Sequence, residues 1–179
     1  MNLPKKLTIK LKSRKETNCL RSLKAPASLV DFSSNDYLGF AKSEEIFDKA
    51  HQLLVDRNIK QNGATGSRLL SGNHLLYTEV EALLSDFHQT QSATIFNSGY
   101  DANIGFFSAV PQRGDVILYD EFIHASIRDG IQLSNAKSFK FKHNSLTNLD
   151  EILKRVQYDN SDVYVVTEAV FSMDGDIAK

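Results

Sequence analysis

The chain has 179 residues, enough for one ordinary domain with an arm and for a real hydrophobic core. It is 41% hydrophobic and 24% charged, with a net charge of -1, so no bulk field favours nucleic acid or an anionic membrane. A single cysteine, Cys19, excludes an intrachain disulfide framework. No apolar run approaches the ~20 residues of a membrane helix, and the Lys-rich start "MNLPKKLTIKLKSRKE" has no apolar core of a secretory signal. A cytoplasmic protein is the expectation.

In chain order, the first ~30 residues read as a basic arm whose periodicity is ambiguous. Leu7, Ile9 and Leu11 alternate, yet Leu7 and Leu11 also fit one helix face. "DFSSNDYLGF" is rich in turn formers. Ser43 can cap a helix carrying Ile46, Ala50, Leu53 and Leu54 on one stripe. "NGATGSRLLSGNH" breaks the pattern with three glycines, and a second helix follows Asn73 with Leu76, Val80, Leu83, Leu84 and Phe87.

The pattern then changes to short apolar runs alternating with helices. "SATIFN", "DVILYD", "KSFKFK" and "DVYVVTEA" read as strands. "YDANIGFFSAV", "HASIRDGIQL" and the Leu149, Ile152, Leu153, Val156 stripe read as helices. That alternation predicts an α/β fold with a mostly parallel sheet and helices on both faces, preceded by the arm. We divide the chain into residues 1–60, arm and helix, and residues 61–179, the start of a large domain.

Ligands of such sheets bind outside the carboxyl ends of the strands. Four places qualify: Asn97–Tyr100, Asp120–His124, Lys142–Asn144 and Glu168–Ser172. At the first, Ser98-Gly99 opens a helix whose free N–H groups favour an anion such as phosphate, although a plain helix start reads the same way. No Gly-Lys-Ser/Thr follows, so it is not a Walker loop. Asp174 and Asp176 flank Gly175 and read as turn formers, not metal ligands. His51, His74, His88 and His143 read as structural or solvated.

"DFSSNDYLGF", "NGATGSRLLSGNH", "FNSGYDANIG", "DEFIHASIRDG" and "VVTEAVFSMDGD", in this order and spacing, resemble the α-oxoamine synthases. These are pyridoxal-phosphate enzymes of the fold-type-I aminotransferase superfamily. The resemblance runs from about Arg14 to the end. It implies a fold-type-I large domain, pyridoxal 5'-phosphate as cofactor, and decarboxylative condensation of an amino acid with an acyl-CoA to an amino ketone. "TGSRLLSGNH" looks most like the branch serving biotin biosynthesis, which joins L-alanine to pimeloyl-CoA. Branches using serine with palmitoyl-CoA or glycine with acetyl-CoA stay open, as does a non-catalytic phosphate-binding or assembly module.

The resemblance also assigns residues. Gly99 and Tyr100 match the Gly-aromatic pair whose backbone binds the cofactor phosphate. His124 matches the histidine that stacks on the pyridine ring and steers substrate, a catalytic position. Ser172 matches a serine that contacts the cofactor. Glu168, read as a buried-strand carboxylate, would orient cofactor or the partner subunit, or pair with a cation. Asn35 matches a position near the substrate, and Arg21 an arginine suited to the distal carboxylate of a pimeloyl chain. Sites of this superfamily are completed by two subunits, which implies a homodimer, and no nucleic-acid or membrane partner is expected. The family's Schiff-base lysine and its aspartate–histidine pair match no position here, because Lys179 follows the wrong motif. The chain is therefore expected to be the N-terminal portion of a longer enzyme and inactive alone.

Overall fold

The computed structural model describes residues 3–23, 30–156 and 161–179. Two compact units emerge, Met1–Asn62 and Gly63–Lys179. In the first, the ambiguous arm resolves as helix α1 (Lys5–Glu16), followed by α2 (Glu44–Asp56). The Ser43 hydroxyl caps α2 as its sequence suggests, accepting the Ile46 N–H. No helix among the described residues is long and apolar enough to cross a membrane.

The second unit carries a single wide turn at Arg68–Gly72, then α3 (Leu75–Phe87), α4 (Gly99–Ala109), β1 (Val116–Asp120), α5 (Ala125–Leu133), β2 (Lys137–Phe141), α6 (Leu146–Arg155) and β3 (Val163–Val166). The three strands form one parallel sheet in the order β2-β1-β3, with Leu118 opposite both Phe139 and Val165. Central β1 is an unbroken apolar run because both its faces are covered. Ile117 joins Phe107 of α4 and Ile127 and Ile131 of α5 in one core cluster. Val116 and Leu118 join Phe141 and the Leu149, Ile152, Leu153 stripe of α6 in another. Helices therefore lie on both faces. β2 is an edge strand, and of its residues only Phe141 is buried.

One expected strand is absent. Residues 92–96 of "SATIFN" form no ladder. A strand is made by a neighbour's backbone, and here the Ile95 N–H donates at 2.8 Å to the Glu81 carboxylate. The segment is held by a side chain instead of a neighbouring strand.

Helices α4 and α5 approach closely at Gly130, where a Cβ would lie 2.9 Å from Asn103 O and 2.9 Å from Phe107 Cβ. Gly130→Ala must push the two helices apart, at an expected cost of about 1–3 kcal/mol read by urea denaturation. An unchanged midpoint would show that this contact does not set the helix spacing.

Candidate active site

The carboxyl ends of β1 and β3 and the start of α4 build one polar corner. Ser98 caps α4, its hydroxyl accepting the Asp101 N–H at 3.0 Å. The first-turn N–H groups of Gly99 and Tyr100 have no partner among the described residues, as helix geometry dictates. A Cβ at Gly99 would meet nothing within 4 Å, so the approach to those donors is open. Donor set, dipole and access together fit a phosphate group.

His124 lies just past β1 and caps α5. Its Nδ1 accepts the Ser126 N–H at 3.2 Å and lies 2.7 Å from Ser126 Oγ. The Oγ, wholly buried, accepts from Asn103 Nδ2 of α4 at 2.9 Å. These bonds make Nδ1 an acceptor and place the ring proton on Nε2, a tautomer assigned from the hydrogen-bond network. The ring meets Tyr100 edge-on, centroids 6.4 Å apart, and the side chain is solvent-exposed. The exposed flat ring stands beside the unpartnered α4 N–H groups, an arrangement that fits a planar phosphorylated cofactor.

Two further bonds tie the corner. The Tyr100 hydroxyl donates to Asp129 of α5, which pushes the phenol above its ordinary value. The His124 N–H donates to Glu168 Oε1 just past β3. Glu168 is thus half-buried beyond the strand, not a buried-strand carboxylate, because β3 ends at Val166. The structure brings Gly99, Tyr100, His124 and Glu168 together. Ser172 lies in the loop after β3, exposed and without a hydrogen bond among the described residues. Arg21 and Asn35 belong to the first unit and are exposed; Asn35 O accepts the Tyr37 N–H in a tight turn.

Sequence reasoning missed two polar clusters. In one, Arg68 clasps Glu81 through paired bonds of 2.7 and 2.8 Å, donates to Asn73 and covers the Tyr77 ring at 4.3 Å. Glu81 also holds the Ile95 N–H, four residues before the start of α4. The Arg68 bond, then that N–H, draw the Glu81 carboxyl down to about 2 from an ordinary 4.5. A depressed carboxyl stabilises above its ordinary value, and that contribution disappears as pH falls from 4.5 through 2. Glu81→Gln should therefore flatten the acid side of the Tm–pH curve; an acid limb identical to the parent's would refute the clasp. In the other cluster, His143, read as structural or solvated, bonds Asp120 and Asp176, and Asp176 is thus more than a turn former. An acid ending β1 was the available signal for Asp120.

The model for aminotransferase class I and II matches residues 27–179. An 8-amino-7-oxononanoate synthase of Emericella nidulans is 41% identical over 178 residues, covering 94% of this chain and 43% of that protein. Among solved structures, a serine palmitoyltransferase from S. paucimobilis with a bound PLP–myriocin aldimine matches at 29% identity and TM-score 0.81, over 97% of this chain and 46% of that one. The 8-amino-7-oxononanoate synthase of Francisella tularensis matches at 28% identity and TM-score 0.63, over 84% and 40%. Both named activities are those of α-oxoamine synthases, and the fold is that of the fold-type-I pyridoxal-phosphate enzymes. The chain spans less than half the length of these relatives.

Proposed function

The chain belongs to the aminotransferase class I and II family, and on that premise we propose that it forms one wall of a pyridoxal-phosphate site in an α-oxoamine synthase. The carrying observation is the convergence of the unpartnered Gly99 and Tyr100 N–H groups, the exposed His124 ring and Glu168 at the carboxyl end of the parallel sheet. The proposed reaction condenses L-alanine with pimeloyl-CoA, releasing CO2 and CoA, as a step of biotin formation. Support for that branch is the 41% identity to an 8-amino-7-oxononanoate synthase; among solved structures the synthase of Francisella tularensis and the serine palmitoyltransferase match at a similar 28% and 29%. The higher TM-score of the latter favours serine with a long-chain acyl-CoA as the second reading.

Pyridoxal phosphate supplies an electron sink for negative charge at the amino acid's α-carbon when bound. The chain's own residues do the rest of the work on this wall. Gly99 and Tyr100 donate backbone N–H groups to the phosphate, and the α4 dipole favours its charge. His124 covers one ring face, and Ser126 and Asn103 hold that ring in a single orientation with its proton on Nε2. That proton points away from the α5 cap and is available to a substrate oxygen. Glu168 fixes the His124 backbone, keeping β3 and α5 in step. Ser172 offers a hydroxyl to the cofactor ring; by the family resemblance alone, Arg21 is assigned to the acyl carboxylate and Asn35 to a position near the substrate. A homodimer completes the site.

Assaying the full protein containing these residues with alanine, serine and glycine against pimeloyl-, palmitoyl- and acetyl-CoA tests this. Turnover restricted to alanine and pimeloyl-CoA is expected. Preference for serine with palmitoyl-CoA would move the protein to the other branch, and no amino-ketone product from any pair would defeat the enzyme reading.

A further inference from the structure

The loop after β3 is strapped to the ends of β1 and β2 by a histidine held between two carboxylates. His143 Nδ1 lies 2.9 Å from Asp120 Oδ1, and its Nε2 lies 2.7 Å from Asp176 Oδ2. Phe122 stacks on the ring at 4.4 Å and 22°, and Phe171 meets it edge-on at 4.5 Å. The ring is thus enclosed by apolar faces, with both nitrogens committed.

Proton counting then constrains the cluster. Asp120 is wholly buried, and besides His143 it accepts the Phe122 N–H at 2.8 Å and the Asn144 N–H at 2.9 Å. Burial alone would raise its carboxyl, yet these bonds outweigh it and hold the group below its ordinary value. An ionised Asp120 can only accept, so Nδ1 carries a proton. Asp176 Oδ2 is likewise an acceptor, already bonded to Asn144 Nδ2 at 2.7 Å. Its contact with Nε2 therefore needs a second ring proton. The other oxygen, Asp176 Oδ1, is shut from solvent with no donor among the described residues, so this carboxylate depends on Oδ2 for its stabilisation. An imidazolium satisfies both acceptors at once.

Resting on the reading in which Ser172 faces the cofactor, we infer that His143 is a positioning residue: as imidazolium it holds Asp176, and with it the turn that carries Ser172. That turn is closed by its own backbone. The Phe171 N–H donates to Asp176 O at 2.9 Å and the Gly175 N–H to Phe171 O at 2.8 Å. Phe171 is buried, so one end of the turn is pinned in the core and His143 pins the other. Ser172 stands between two fixed points.

The charged groups facing His143 are Asp120 and Glu121 at the end of β1 and Asp176 from the loop. Glu121 Oε1 accepts the His143 N–H at 3.0 Å, and Lys140 of β2 stands 3.9 Å from its other oxygen. Acids predominate, and the Asp120 bond first, then Asp176, raise the histidine above its ordinary 6.5. With a raised value in the folded state, the strap is complete below 6.5 and is lost as pH rises through that raised value. A neutral ring would set a lone pair against the Asp176 oxygen and release the turn.

The test follows amide exchange of Phe171 and Gly175 in the full protein across that titration, with His143 ring resonances monitored alongside. The parent should lose protection about tenfold more than intrinsic exchange chemistry accounts for. Asp176→Asn provides the control, since its amide can donate to an unprotonated Nε2 once the Asn144 side-chain amide turns to offer its oxygen, and it should remove the excess. Pyridoxal-phosphate affinity, measured in parallel, should weaken at high pH in the parent and stay flat in Asp176→Asn. Equal exchange profiles in parent and variant, or a neutral His143 below 6.5, would overturn the strap. Should the strap behave as expected in a protein that binds no pyridoxal phosphate, the site reading fails and the strap's link to Ser172 fails with it. A pH-independent loop in a protein that binds the cofactor overturns the strap alone.

Discussion

Asp120→Ala should destabilise the protein by about 3–5 kcal/mol, the cost of breaking a buried charged network from one side. The carboxylate is wholly buried at the end of the central strand and receives donors from Phe122, His143 and Asn144. Truncation leaves two backbone N–H groups and an imidazole proton without acceptors, in a place water does not reach. Asp120→Asn should recover only part of the loss, because one amide hydrogen must then face a donor. The carboxyl is depressed, so its stabilisation is present above the ordinary carboxylate range and is lost as pH falls through the lowered value. Urea midpoints at neutral pH measure all of this. A midpoint for Asp120→Ala within about 0.5 kcal/mol of the parent would mean that the network is not formed.

His124→Asn separates the two roles of that histidine. Asparagine is among the best helix caps, and its side-chain oxygen can still accept the Ser126 N–H, so stability should move by no more than about 0.5 kcal/mol. The ring face and the Nε2 proton disappear. Amino-ketone formation, as kcat/KM, should fall about 100-fold, in line with the loss of one positioned group. Full activity in a stable His124→Asn protein would remove His124 from the site.

The parallel sheet was legible because β1 and β3 are apolar runs bounded by acids, and because the α5 and α6 stripes repeat at helical spacing. Those signals are local and arise from burial on known faces. "SATIFN" carries the same composition without forming a strand, since pairing depends on a neighbour and Glu81 takes the Ile95 N–H instead. Gly99, Tyr100 and His124 were legible as a strand-end and helix-start pattern and were given roles by resemblance. Glu168 was visible as a candidate, but its surroundings were not, because the sequence does not announce that β3 stops at Val166. The His143 cluster was illegible for a physical reason. It joins the end of β1, the turn after β2 and the loop after β3, and a histidine after an edge strand has no periodicity that announces a partner. The Arg68–Glu81 clasp spans 13 residues and matches no helical spacing.

The proposed site rests on the α4 start holding a phosphate, and one pair of affinities addresses it most directly. Two backbone N–H bonds to a charged group, at about 1.5–3 kcal/mol each, amount to a hundredfold or more in affinity. The full protein should therefore bind pyridoxal 5'-phosphate at least about 100-fold more tightly than pyridoxal, which lacks the phosphate. Gly99→Val crowds the open approach, and its Cβ meets no atom within 4 Å in the fold. In that variant the ratio should collapse to below about tenfold while stability holds. A ratio that is small in the parent, or that survives Gly99→Val unchanged, would contradict the account.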